Sequence, residues 1–158
     1  YDSKRSADLT IILNALEYIS VYHDKWHHPL EDVIFARLLK TNIKQNEIDL
    51  IHQLEKEHTS NTRETDKITQ LFKMASRDCI IQINELIKSA RHFILAQQAH
   101  MKSENEYIYP LIDQKITDQD WAEIAKETSP SDDPLFNEQS KSKYDQLYRY
   151  ILDLENEK

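Results

Sequence analysis

His27 and Glu31 stand four residues apart in the stretch WHHPLED, and His100 and Glu104 repeat the His-x-x-x-Glu spacing in HMKSENE. Four residues are just over one helical turn, so each pair shares one helix face. His58 lies between Leu54 and Thr62 at the same four-residue step. These faces continue into apolar residues: Phe35 and Leu38 beyond Glu31, Ile108 and Leu111 beyond Glu104. Ionisable groups on inward faces are costly to bury unless they are paired or coordinate a metal. Three imidazoles and two carboxylates, with no thiolate among them, suit iron, manganese or zinc rather than a soft-metal site. Carboxylates can bridge, so the set fits a pair of ions, although spacing alone leaves a single ion open.

The other candidates read differently. His28 and Asp32 are also four apart but are rotated by ~100° from the first pair, which predicts a supporting or surface role. His23 is expected on an exposed side or at a kink, and His52 and His92 fall off the apolar stripes and read as solvated. Cys79 is the single cysteine, so there is no disulfide framework. It reads as a small buried apolar residue.

The elements that must position these groups are helices. The chain of 158 residues has no glycine and little strand-type alternation. A first periodic segment runs from about 6 to 40 with the stripe Leu9, Ile12, Leu13, Leu16, Ile19, His27, Glu31, Phe35 and Leu38. Pro29 removes a backbone donor inside it, which predicts a kinked helix or two abutting ones. A second segment spans about 46 to 75, on Ile48, Ile51, Leu54, His58, Thr62, Thr65, Ile68 and Phe72. Ser76 reads as the N-cap of a third, which reaches about 113 and is bent or ended by Pro110. TDQD is a capping sequence for a short helix through Lys126, TSPSDDP is a loop, and Tyr144, Leu147, Tyr148, Ile151 and Leu154 stripe a final helix. The expectation is an all-α, antiparallel up-down bundle over 1–113 with a helical extension over 114–158 packed on it.

A net charge of −8 argues against nucleic acid as a partner. No apolar run approaches the ~20 residues of a membrane span, and no secretory signal is visible, so a cytoplasmic protein is expected.

HHPLED, KEHTSN and HMKSENEYIYP resemble the three ligand segments of the hemerythrin-like (HHE cation-binding) family, and DDPLF resembles a stretch common in its bacterial members. The resemblance covers about residues 6 to 150. It implies a four-helix bundle holding two irons, with His27, His58 and His100 as terminal ligands and Glu31 and Glu104 as bridging carboxylates. Ferritin-like di-iron proteins use Glu-x-x-His instead. Two departures stand out. Family members usually supply a further histidine from a helix preceding the HHPLED segment, and a missing first helix is the expected reason for its absence. The alternative is a three-helix core completed by a partner or by the tail. Asn105 stands where members often have a second acid, and it should point away from the metals.

The resemblance implies a non-haem di-iron protein that binds O2 or another diatomic, or that senses or stores iron. A di-iron enzyme removing peroxide or oxidising iron is the second expectation. A metal-free helical interaction module, built on the tail stripe, is the third. A second copy of the chain is a further candidate partner.

Overall fold

The computed structural model describes residues 2–77, 81–128, 133–134 and 138–156, with the side chains of 2–8, 154 and 155 excluded. Cys79, Ile80, the Leu154 side chain, most of the TSPSDDP loop and most of the DDPLF stretch lie outside the described residues. The described chain is all-α, and it contains no strand. In order it forms α1 (Asp2–Tyr18), a π-helical stretch (Ile19–His27), α2 (His28–Leu38), α3 (Gln45–Ser76), α4 (Ile83–Ser103), a second π-helical stretch (Glu104–Ile108), α5 (Tyr109–Lys115), α6 (Asp118–Glu127) and α7 (Glu138–Asn156).

The first rod, expected as a kinked helix or two abutting ones, runs as α1, a π-helical stretch and α2 end to end. The helix passes through Pro29 because the turn before it is already widened. The His28 N–H bonds to the carbonyl of His23, five residues back instead of four. Pro110 is handled the same way: the Tyr109 N–H bonds to the Glu104 carbonyl, and the rod continues to Lys115. A proline ring clashes with the carbonyl four residues earlier in a tight α-turn. One extra residue per turn relieves that clash.

The other helix ends follow local chemistry. The Lys44 N–H donates to Glu47 Oε2 at 2.6 Å and opens α3. Ser76, expected as an N-cap, instead belongs to the last turn of α3, where its hydroxyl donates to the Lys73 carbonyl at 2.8 Å. That local bond competes with a cap, and α4 begins only at Ile83. Thr117 caps α6 as its sequence predicts. Its hydroxyl accepts from the Asp120 N–H at 3.2 Å, while Asp120 Oδ2 accepts from the Thr117 N–H at 2.8 Å.

Three rods make the bundle, and α3 runs antiparallel to both of its neighbours. At one end Leu16, Ile68 and Phe93 pack together. At the other, Phe35 and Leu38 pack with Ile51, Leu54, Ile108, Leu111 and Ile112. Residues early in one rod therefore meet residues late in the next. Between these two apolar layers lies a buried polar one: Asp24, His28, Glu31, His58, Asn61, Thr65, Gln97, His100 and Glu104.

Among the described residues, the chain after residue 114 packs on this bundle through Ile116, α6 and α7. Ile124 of α6 joins the larger apolar layer, and Arg37 of α2 pairs with Asp120 and, at 2.6 Å, with Glu123. Tyr144 of α7 meets the Tyr18 ring edge-on at 4.8 Å, beside a Lys143–Glu17 pair at 2.6 Å. Among the described residues no helix is long and apolar enough to cross a membrane.

Candidate metal centre

The polar layer gathers residues from every rod. The first rod supplies His23, Asp24, His28 and Glu31, α3 supplies His58, and the last rod supplies His100 and Glu104. His28, Glu31, His58, His100 and Glu104 are each at most 4% exposed. Ligand-capable atoms of His28, His58 and His100 lie within 4.8 Å of one another. The same holds for Glu31, His58 and Glu104, and for His23, Asp24 and His28. The His28 and His58 rings stack at 4.2 Å, and His100 meets His58 edge-on at 5.0 Å.

The buried atoms at the centre of this layer lack hydrogen-bond partners. They include His58 Nε2, His100 Nε2, both ring nitrogens of His28, Glu31 Oε2, Glu104 Oε1 and both carboxylate oxygens of Asp24. His100 Nε2 comes within 2.8 Å of Glu104 Oε1 without the alignment of a hydrogen bond. A buried polar atom without a partner costs on the order of 1–3 kcal/mol, so a cluster of them calls for an explanation. A bound metal ion could take up several of these lone pairs.

The opposite side of the imidazoles is built to match. His58 Nδ1 lies 2.7 Å from Asp32 Oδ1, and His100 Nδ1 lies 2.9 Å from Glu57 Oε2. A carboxylate on one ring nitrogen fixes the tautomer and aims the other nitrogen inward. Tyr109 donates its hydroxyl to Glu31 Oε1 at 2.7 Å. The donor set of imidazoles and carboxylates thus fits a metal.

Electrostatics divide the layer. Burial, reinforced by the Glu104 charge, pushes the Glu31 carboxyl up to about 7. Burial would raise Glu104 too, but the imidazoles of His100 and His58 outweigh it and hold the carboxyl well below its usual range. Burial and the neighbouring His58 push His28 down to about 2, and burial with His27 pushes His23 down to about 4. Both rings are therefore neutral, as ligation requires. For His58 and His100 burial is outweighed by their carboxylate neighbours, and both are raised.

Of the five residues singled out by spacing, the structure brings Glu31, His58, His100 and Glu104 together. His27 sits at the rim, its side chain 27% exposed and its Nε2 3.4 Å from Glu31 Oε1, outside all three trios. His28, expected in a supporting or surface role, is buried at the centre. Residues three and four before Glu31 flank its line on either side, and the rotation of the rod decides which turns inward. Asp24 was missed altogether. A signal for both was present, since Asp24, His28, Glu31, Phe35 and Leu38 recur at steps of four and three, the pattern of a buried helix face.

Asp32 takes the supporting position, whereas nothing in the spacing pointed to Glu57 or Tyr109 as supports. His52 and His92 are exposed. Asn105 faces away, donating to the Met101 carbonyl at 2.8 Å.

No protein-family model, curated protein or solved structure matches this chain significantly. The class defined by fold and site is a helical bundle whose buried His, Glu and Asp groups could hold a metal ion.

Proposed function

We propose that the chain is a hemerythrin-like, non-haem di-iron protein that binds oxygen or another diatomic. The observation that carries this reading is the convergence of His58 Nε2, His100 Nε2, Glu31 Oε2 and Glu104 Oε1. All are buried and unpartnered, and both rings are anchored from behind by carboxylates. Imidazole and carboxylate ligands suit iron. Bound there, iron would supply reversible redox chemistry and a coordination position for a diatomic.

The chain's own residues do the rest. Asp32 and Glu57 orient the imidazoles. Tyr109 holds Glu31 in one rotamer by its hydrogen bond. Phe35, which stacks on His58 at 5.6 Å, belongs to a fully buried apolar layer that excludes water on one side of the centre. Leu16, Ile68 and Phe93 do so on the other.

The test is to load the reduced protein anaerobically with Fe(II), count irons per chain, admit oxygen and record the visible spectrum. Two irons and a lasting charge-transfer spectrum are expected. His58→Ala and Glu104→Ala should each lower the iron content sharply, while His92→Ala should leave it unchanged. Rapid turnover of Fe(II) or peroxide would make the protein an enzyme instead, and absence of iron uptake would overturn the reading.

A further inference from the structure

We propose that Tyr22, Trp26, Tyr18 and Tyr144 form an electron relay that draws oxidising equivalents out of the buried polar layer to the surface between α1 and α7. The task of the relay rests on the iron reading above, whereas electron transfer among its rings needs no metal.

The rings stand in line and in contact. Tyr18 and Tyr22 stack at 5.3 Å with their planes 12° apart, and Tyr22 and Trp26 stack at 5.5 Å and 28°. Steps of four residues put these three on one side of the first rod. Inward, Tyr22 stacks on His27 at 6.1 Å and 16°. That five-residue step closes because the stretch Ile19–His27 is π-helical. His27 Nε2 in turn lies 3.4 Å from Glu31 Oε1, so the ring left at the rim of the polar layer is the inner contact of the row. Outward, Tyr18 meets Tyr144 edge-on at 4.8 Å. These two rings help to wall a cleft of about 390 Å³ between α1 and α7.

Packing alone does not account for the row. All four rings are half-buried, and none belongs to either apolar layer. Phenylalanine would cover the same surface; phenol and indole differ from it in giving up one electron to a strong oxidant. The oxidant here is of the class that peroxide generates from reduced iron. It takes one electron from Tyr22, whose phenolic proton leaves to water. The phenoxyl formed takes an electron from Tyr18 and a proton from water, and Tyr18 is restored in the same way by Tyr144. At Tyr144 a small thiol in the cleft gives up a hydrogen atom: its S–H bond breaks, the phenolic O–H re-forms, and a thiyl radical departs. One electron has then moved inward, and the ligand imidazoles are spared. Trp26, stacked on Tyr22, is a second point of entry.

Pulse radiolysis of the metal-free protein tests the relay. In W121F, Trp26 is the one tryptophan left, and azide radicals oxidise its indole. Electron transfer from Tyr22 should convert the indolyl signal into a phenoxyl signal in a first-order step, independent of protein concentration. In W121F/Y22F the stacked ring is kept but its hydroxyl is gone, and that step should be lost with circular dichroism unchanged. W121F/Y107F should retain it, since Tyr107 is exposed and outside the row. Conversion that depends on protein concentration, or that survives Y22F, would overturn the relay and leave the iron reading standing. The outward task is read in iron-loaded protein treated with hydrogen peroxide. Oxygen insertion into the peptides carrying His58 and His100, followed by mass spectrometry, should rise in Y22F at equal iron content. Equal damage in both proteins would overturn the protective role. A chain that takes up no iron would overturn it too, with the first-order step still present.

Discussion

Glu31→Gln should make the metal-free protein more stable and the metal-bound protein weaker. Burial and the Glu104 charge raise the Glu31 carboxyl from 4.5 to about 7. The folded chain therefore keeps a proton that the unfolded chain loses between those pH values. The stabilising contribution of the protonated group is fully present below pH 4.5 and is lost as pH rises through 7. At about 1.4 kcal/mol per pH unit, that interval is worth at most ~3 kcal/mol. Glutamine has the same shape, stays neutral, and still offers an oxygen to the Tyr109 hydroxyl 2.7 Å away. In chelator-treated protein, urea unfolding at pH 8 should thus show Glu31→Gln to be ~1–3 kcal/mol more stable than the unsubstituted chain. At pH 4 the two should coincide. With Zn(II) present the order should reverse, because a neutral amide is a poorer ligand than the carboxylate it replaces. A metal-free variant that is less stable at pH 8, or one that gains as much at pH 4, would refute the account of a carboxyl held at cost for a cation.

Asp32→Asn and Glu57→Gln should each weaken metal affinity ~10–100-fold in a chelator competition, since each removes the carboxylate behind a ligand imidazole. Unchanged affinity in both would deny them an orienting role. Phe35→Ala should cost ~3–5 kcal/mol in denaturant unfolding, because the ring is fully buried and stacks on His58. Thr117→Ala should cost about 1 kcal/mol through loss of the α6 cap, with the metal count unchanged. A change in metal content there would tie α6 to the centre in a way its distance from the cluster along the chain does not suggest.

Much of the fold could be read from periodicity alone. The stripe of α3 is long and regular, and Ile51, Leu54, His58, Thr65 and Ile68 are buried as their spacing predicts. The HxxxE pairs located the polar layer for the same reason: a four-residue step survives any rotation of the rod. What spacing could not fix was the rotation itself. His27 and His28 lie on either side of the Glu31 line, and packing buries His28 against His58 while His27 stays at the rim. The widened turn compounded this. Buried Leu16 lies eight residues before Asp24, whereas an unbroken heptad would have buried Glu17, which is exposed. A single inserted residue is invisible to a sequence reading that assumes one period throughout.

That inserted residue and the proline that follows it form one device. In both rods a π-helical stretch ends two residues before a proline, at His27 before Pro29 and at Ile108 before Pro110. Proline cannot donate to the turn before it, so a regular α-helix would lose a bond and strain against the ring there. Widening the turn removes the clash and at the same time swings the preceding side chains. Asp24, His28 and Glu31 stay on one buried line through the widened turn, and so do Glu104 and Ile108. Each proline thus sits in a locally irregular helix that runs on past it. The sequence feature that looks like a helix breaker lies on rods that carry the buried polar layer and continue beyond it.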